Sequence, residues 1–260
     1  MLLRVRDAWL QRSVNLSPEL LEKLYLASKS DHVRHSPSQF ANPSALGFMG
    51  FAIADVTFAM VLMGWGGAAS LTSVVGIFFF TGPLLLILTT IFEWVMGRFL
   101  SMMICGFFSV FWFSFGLLQL PTMGIAASYS ATGDAAQGAV SVGYNAGIAL
   151  YLVAMGCALF TFFVFTLRTN VVLALIIGLA TVAVYVLSAA YFSVSRRDFH
   201  RATQLQHAGG ALLFVVGLLG WYMTVVIMAG ESGFPNLPCG DLSHLWPQPS
   251  VDAERSGKQA

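Results

Sequence analysis

Charge is scarce in this chain. Lys, Arg, Asp and Glu make up 10% of its 260 residues, and 57% of the residues are hydrophobic. Soluble domains carry about 25% charged residues, so a soluble fold is excluded. The formal net charge is +1, which leaves no basis for nucleic-acid binding. Cysteine is equally sparse. Cys105, Cys157 and Cys239 lie far apart and two sit inside apolar runs, so they read as small buried hydrophobes and support neither a disulfide framework nor a metal site. The five histidines all fall outside the apolar runs. No HExxH, Gly-rich phosphate loop or Ser/His/Asp arrangement is found, so neither an enzyme nor a cofactor is expected.

Long hydrophobic runs are what the chain has instead. A stretch of about 20 apolar residues crosses a bilayer. Six are readable, at roughly 45–66, 71–92, 99–119, 145–167, 171–192 and 208–229. The expected fold class is an all-α integral membrane protein of six transmembrane helices, in one transport domain over 42–230. A polar leader (1–41) precedes it, with a short amphipathic helix expected at 17–27, and a Pro-containing tail (231–260) follows that should end disordered. Gly209, Gly210, Gly217 and Gly220 suggest a close-packed face on the last helix. Basic residues set the orientation. Arg4, Arg6, Arg12, Lys23, Lys29, Arg34, Arg98, Arg168, Arg255 and Lys258 gather on the side of the termini, and only Arg196, Arg197 and Arg201 on the other. Both termini are therefore expected in the cytoplasm, with the plasma membrane as the expected location.

The first span begins abruptly at Asn42-Pro43-Ser44-Ala45-Leu46-Gly47-Phe48. Asn is a favoured helix cap and Pro suits the first helical position, where its missing N–H costs nothing. Free N–H groups and the positive end of the helix dipole then make a ready place for an anion. A well-capped membrane helix with no further role is the simpler reading of the same residues.

Ionisable groups inside the spans are costly in lipid and are functional candidates. Asp55 lies well inside the first helix and shares one face with Phe48 and Phe51. It is either a proton or pore residue or a structural hydrogen-bonding group. Glu93 ends the second span, where an interfacial position with an anchoring or helix-end role is expected over a role in transport. Most of the 22 Phe must contact lipid or neighbouring helices, although an aromatic ring at a narrow point can gate a path.

The run Asn42-Pro43-Ser44-Ala45-Leu46-Gly47-Phe48-Met49-Gly50-Phe51 resembles the NPAPLGLxGF signature of the acetate uptake transporter family. That family includes bacterial succinate–acetate permeases and fungal acetate and ammonia-export proteins. Gly76-Ile77-Phe78, Glu93 with Gly97, Phe111-Trp112, and Ala208-Gly209-Gly210 through Trp221-Tyr222 follow in the order the family shows, the last in its fungal branch. The resemblance covers about 39–230.

It implies six helices around a pore in each protomer, a homo-hexameric ring in lipid, and proton-coupled or channel-like uptake of acetate and related short carboxylates. Asn42, Pro43, Ser44, Leu46 and Gly47 become the expected substrate-binding residues. The family's narrow point is a Phe, a Leu and a Tyr, which fall by position on Phe51, on Ala180 (with Leu179 adjacent) and on Phe108. The two replacements imply a wider, drier gate. Asp55 stands where a neutral residue is expected and is the candidate proton site, because its charge would repel a carboxylate anion unless protonated. A channel-like facilitator for anions, ammonia or neutral acids, and a non-transporting scaffold or sensor of the same fold, are the alternatives.

Overall fold

The structure, a computed structural model, describes residues 41–235 and 237–246. The expected leader helix at 17–27 and the chain end after 246 lie outside the described residues. Among the described residues, six helices are long and apolar enough to span a membrane. They are α1 (Ser44–Leu62), α2 (Thr81–Val95, preceded by a 3-10 stretch Leu71–Phe78), α3 (Phe99–Gln119), α4 (Val142–Thr166), α5 (Val171–Ser195) and α6 (Phe199–Glu231). At 1.5 Å per residue, the 33 residues of α6 reach roughly 50 Å, well beyond a 30 Å hydrocarbon core. Its first turns carry His200, Arg201, Gln204, Gln206 and His207, and polar side chains suit a helix that emerges from lipid. Arg196 and Arg197 are exposed in the turn just before it.

Short connections force neighbouring helices into antiparallel hairpins. Met96–Arg98 joins α2 to α3, Leu167–Asn170 joins α4 to α5, and Arg196–Asp198 joins α5 to α6. The N-terminal end of α1 defines one face of the domain, here the motif face, and the C-terminal end of α1 the far face. α1 packs on α2 and most extensively on α6; α5 packs on both α4 and α6. The 3-10 stretch wedges between α1, α2 and α3 with Phe78 fully buried. Gly116 makes room for it, since a Cβ there would stand 2.5 Å from the Phe78 Cβ.

The glycines of α6 divide between two partners. A Cβ at Gly210 would meet Met63 at 3.0 Å, one at Gly217 Val56 at 2.6 Å, and one at Gly220 Phe51 at 3.0 Å, so these three admit α1. Gly209 instead faces Leu187 of α5 at 2.7 Å. In lipid, helices associate through packing because hydrophobic burial drives little, and such close approach supplies it.

Part of the sequence assigned to the tail packs against the membrane domain. The Tyr222 hydroxyl donates to the Pro238 carbonyl at 2.7 Å. Val171 and Val172 N–H donate to the carbonyls of Gly240 (2.7 Å) and Cys239 (3.4 Å), and Leu242 N–H donates to Thr169 O at 3.0 Å. Asn170 Oδ1 accepts from Leu173 N–H at 2.8 Å. Strap and cap together thus occupy the first-turn donors of α5, which a helix start otherwise leaves open. Gly240 is required there, with φ 67° and Val171 Cγ2 2.8 Å from where a Cβ would stand. The strap closes with the Trp246 indole N–H donating to Leu167 O at 3.0 Å and Arg168 lying 4.8 Å over the Trp246 ring. Of the cysteines, Cys239 lies half-buried in this strap and Cys105 half-buried in α3; Cys157 is exposed on α4, against the expectation of burial.

Two alanine substitutions in this packing should move stability in opposite directions. Gly217→Ala meets the stiff Val56 side chain and costs about 2 kcal/mol, as overpacking does, lowering Tm by roughly 4–8 °C. Gly147→Ala, with open space around it, gains helix propensity and holds or raises Tm by roughly 1–3 °C. Thermal unfolding of the purified protein followed by intrinsic fluorescence distinguishes the two.

Candidate functional site

Helix α1 enters the membrane domain under a polar clamp supplied by α2 and the turn after it. Asn42 Oδ1 accepts from Ser44 N–H at 3.1 Å and from the Arg98 guanidinium at 2.9 Å. The Ser44 hydroxyl donates to Glu93, and Arg98 stands 3.7 Å from the same Glu93 oxygen. The Thr89 hydroxyl donates to the Pro43 carbonyl at 3.2 Å. Pro43 already has helical dihedrals (φ −73°, ψ −17°), so Asn42 caps the amide two residues on, as its residue type predicts.

Most of the donors of the expected anion site at this helix start meet the protein's own groups. Ser44 N–H is committed to Asn42, and Leu46 and Gly47 N–H both donate to Pro43 O, at 3.1 and 3.4 Å. The carboxyl group that meets the first turn is that of Glu93, 0% exposed and bonded by Ser44. Glu93 is therefore a buried organiser of the helix start, where an interfacial anchor was expected. Leu46 points outward at 41% exposed. Of the five residues expected to bind substrate, Asn42, Pro43 and Ser44 build the clamp, Leu46 faces away, and Gly47 alone lines a cavity.

That cavity, the inner chamber, encloses about 40 Å³ toward the motif face. Gly47, Phe48 and Phe51 of α1 line it with Leu86, Ile104, Cys105 and Phe108, and α5 contributes Leu173, Ile176 and Ile177. All of its surface is apolar. Phe51 and Phe108, placed together at the gate by resemblance, meet here edge to face with ring centroids 5.1 Å apart and planes at 62°. Such a pair is favoured by the opposite charge of ring face and ring edge. Gly220 of α6 backs Phe51.

The outer chamber, about 290 Å³, opens toward the far face. Phe58 and Leu62 of α1, Phe111 and Phe115 of α3, Leu152 of α4, and Val184 and Leu187 of α5 form most of its wall. Ser70, Gln119, Tyr191 and Gln206 bring polar groups near the rim. Asp55 also lines it, one helical turn past Phe51 and 3% exposed. Its Oδ2 has no hydrogen-bond partner among the described residues and lies 3.4 Å from where a Cβ on Gly217 would stand. A structural bond to a neighbouring Ser or Thr, the simpler expectation for Asp55, is therefore not made by this oxygen.

On α5 the residues that line the two chambers are not the ones inferred for the narrow point. Ile177 lines the inner chamber and Val184 the outer, so Ala180, 2% exposed, falls between the two sets and lines neither. Leu179 faces a separate groove on the outside of α4 and α5, with Phe160 and Phe163. Bulk lost at Ala180 is thus present one turn earlier in Ile176 and Ile177. A second aromatic cluster was not singled out from the sequence. Phe58 meets Phe78, Trp112 and Phe115 at 5.8, 5.8 and 5.7 Å. Its signal was available, because Phe51, Asp55 and Phe58 recur at the spacing of one helical face.

Fold and site together define an integral membrane transport protein, with two chambers facing opposite sides of an aromatic pair. The chain belongs to the GPR1/FUN34/yaaH family, whose model matches residues 27–242. It is 35% identical over 237 residues to Protein alcS of Aspergillus fumigatus, covering 90% of this chain and 87% of that protein. Acetate transporter protein patA of Aspergillus clavatus is 31% identical over 221 residues, covering 85% of this chain and 86% of the relative. In fold it is similar to the bacterial acetate channel SatP, with TM-score 0.62 and 19% identity over 78% of this chain and all of that one.

The clamp orders its own members by consequence. The Glu93 carboxyl is fully buried and the Arg98 side chain is 41% exposed, so Arg98→Ala strands a buried carboxyl without its cation and should lower Tm most, at about 2 kcal/mol once the exposure of Arg98 is discounted. Glu93→Ala leaves an Arg98 that can rehydrate, and Ser44→Ala removes one hydroxyl. Each should cost about 1 kcal/mol. Tm values for the three variants test this ranking.

Proposed function

We propose that this chain carries acetate or a related short-chain monocarboxylate across a membrane, linked to protons, and performs no catalysis. The observation that carries the reading is an uncharged, wholly apolar inner chamber behind the Phe51–Phe108 pair, with a buried carboxyl one turn away at Asp55. A carboxylate anion stripped of water in such a chamber meets no donor, and an isolated ion in an apolar medium neutralises instead of staying charged. The species that crosses the aromatic pair is the undissociated acid. Asp55 is the site from which a proton joins the substrate or to which it returns. The names of the relatives, acetate transporter and acetate channel, agree with this cargo.

The positive-residue bias supports a cytoplasmic motif face and, with it, cytoplasmic termini in the plasma membrane. A homo-hexameric ring is proposed on the resemblance alone. A channel-like facilitator is the second reading. Both chambers are already formed, and Phe51 and Phe108 line the inner one, so rotation of these two rings is the motion this reading requires to connect them.

Proteoliposomes holding the purified protein and an inward proton gradient provide the test. Labelled acetate should accumulate above its external concentration. Asp55→Asn, which keeps the shape and cannot carry a proton, should cut that accumulation at least tenfold. Unchanged accumulation in the variant removes Asp55 from the mechanism, and downhill flux alone selects the facilitator. No flux of acetate, propionate, lactate or succinate returns the scaffold or sensor reading.

A further inference from the structure

The two chambers are unequal in a way that transport of a two-carbon acid does not require. The outer chamber's 290 Å³ holds about ten water volumes, several times what acetic acid fills. The inner chamber, at about 40 Å³, holds roughly one. Between them stands the Phe51–Phe108 contact. The outer wall is chiefly aromatic and aliphatic, through Phe58, Phe111, Phe115, Leu152 and Leu187, and the carboxyl of Asp55 lies at its closed end. That side chain is 3% exposed, and its Oδ2 is without a partner among the described residues. A buried polar atom left unpaired is costly and marks a place where a ligand group fits.

We propose that the outer chamber is a binding site for undissociated straight-chain monocarboxylic acids of about six carbons, a size suited to a chamber of this volume, which enter from the far face and are retained there by burial of the alkyl chain against the apolar wall. An undissociated carboxylic acid carries its own donor, so its head donates to the unpartnered Oδ2 of Asp55. Its alkyl chain lies along the Phe58–Phe115 wall, where burial of each CH₂ is favourable. No basic side chain lines the chamber among the described residues, so the anion has no counter-charge there. Around the head the elements are accounted for. α6 presents Gly217 and Leu213, α3 Phe111, α5 Val184, and the other titratable group in the chamber is Tyr191 of α5, nearer the rim. Such acids act as blockers of the path and not as cargo. The inference rests on the transport reading for what the path carries, and on the chamber's geometry for the ligand.

Labelled hexanoic acid binding to the full chain in lipid nanodiscs tests it. Saturable binding is expected, at least tenfold tighter than acetic acid and weakening about tenfold for each pH unit above the acid's own titration range, because only the protonated form binds. Val184→Phe fills the chamber and should weaken binding at least tenfold. Val182→Phe, on the exposed side of the same helix in the groove with Leu179, should leave it unchanged. Should Val184→Phe fail to fold, Ala69→Trp narrows the exposed rim of the chamber and should weaken binding in the same direction. Equal effects of Val184→Phe and Val182→Phe, absence of saturable binding, or tighter binding of hexylammonium overturns the proposal. Acetate flux measured on the same preparation separates the two readings. Flux without hexanoic acid binding refutes the blocker site alone, and binding without flux refutes the transport reading while supporting the site.

Discussion

The contact on which this molecule depends is the approach of α6 to α1 through glycine. Gly210, Gly217 and Gly220 bring one backbone against the other along nearly the whole length of α1, and α1 carries Gly47, Phe51, Asp55, Phe58 and Leu62. Those residues line both chambers, so a single helix pair fixes the path. In lipid there is little hydrophobic gain from bringing two apolar helices together, and only close packing holds them. The same smooth face brings Gly220 behind Phe51, which positions the ring against Phe108 without competing for the space that ring needs.

Charge is handled in two contrasting ways along α1. At its start, Glu93 is buried but is met by Ser44 and Arg98, so the helix begins under an internal ion pair. One and a half turns past Gly50, Asp55 is buried too and is not met by a cation among the described residues. A paired carboxyl stabilises the scaffold, whereas an unpaired one keeps its chemistry available. The separation of these roles along one helix explains why the signature at its start is structural. The signature residues Asn42, Pro43 and Ser44 meet the demands of a helix entry, and the chamber-lining residues of α1 begin at Gly47.

Much of the fold was readable because lipid imposes simple rules. The six spans match the helices closely, with 99–119 identical in extent, and the two large discrepancies are α2, whose α-helix starts at Thr81 after a 3-10 stretch from Leu71, and α6, which starts at Phe199 and not near 208. Hydropathy misses that segment because His200, Arg201, Gln204 and His207 interrupt it, although the backbone remains helical above the membrane. The aromatic pair was also legible, since position relative to the signature carried Phe51 and Phe108 together. Less legible were contacts between residues distant in sequence. Nothing near Glu93 announces that Ser44, 49 positions earlier, will reach it, and burial then reverses the interfacial reading. On α5, both Leu179 and Ala180 missed the chambers because the helix presents Ile177 and Val184 to them, and a one-residue error in register turns a side chain by 100°.

The strap at 237–246 carries a practical consequence. Its carbonyls complete the start of α5, so the membrane domain runs past the last helical residue, Glu231, at least to Trp246; the family match, too, runs on to residue 242. A fluorescent reporter or purification tag attached directly after α6 would therefore replace part of the folded domain. The same tag joined beyond Trp246 would leave the Gly240 and Cys239 contacts intact, and detergent-solubilised yield would differ between two fusions that look equivalent on a hydropathy plot.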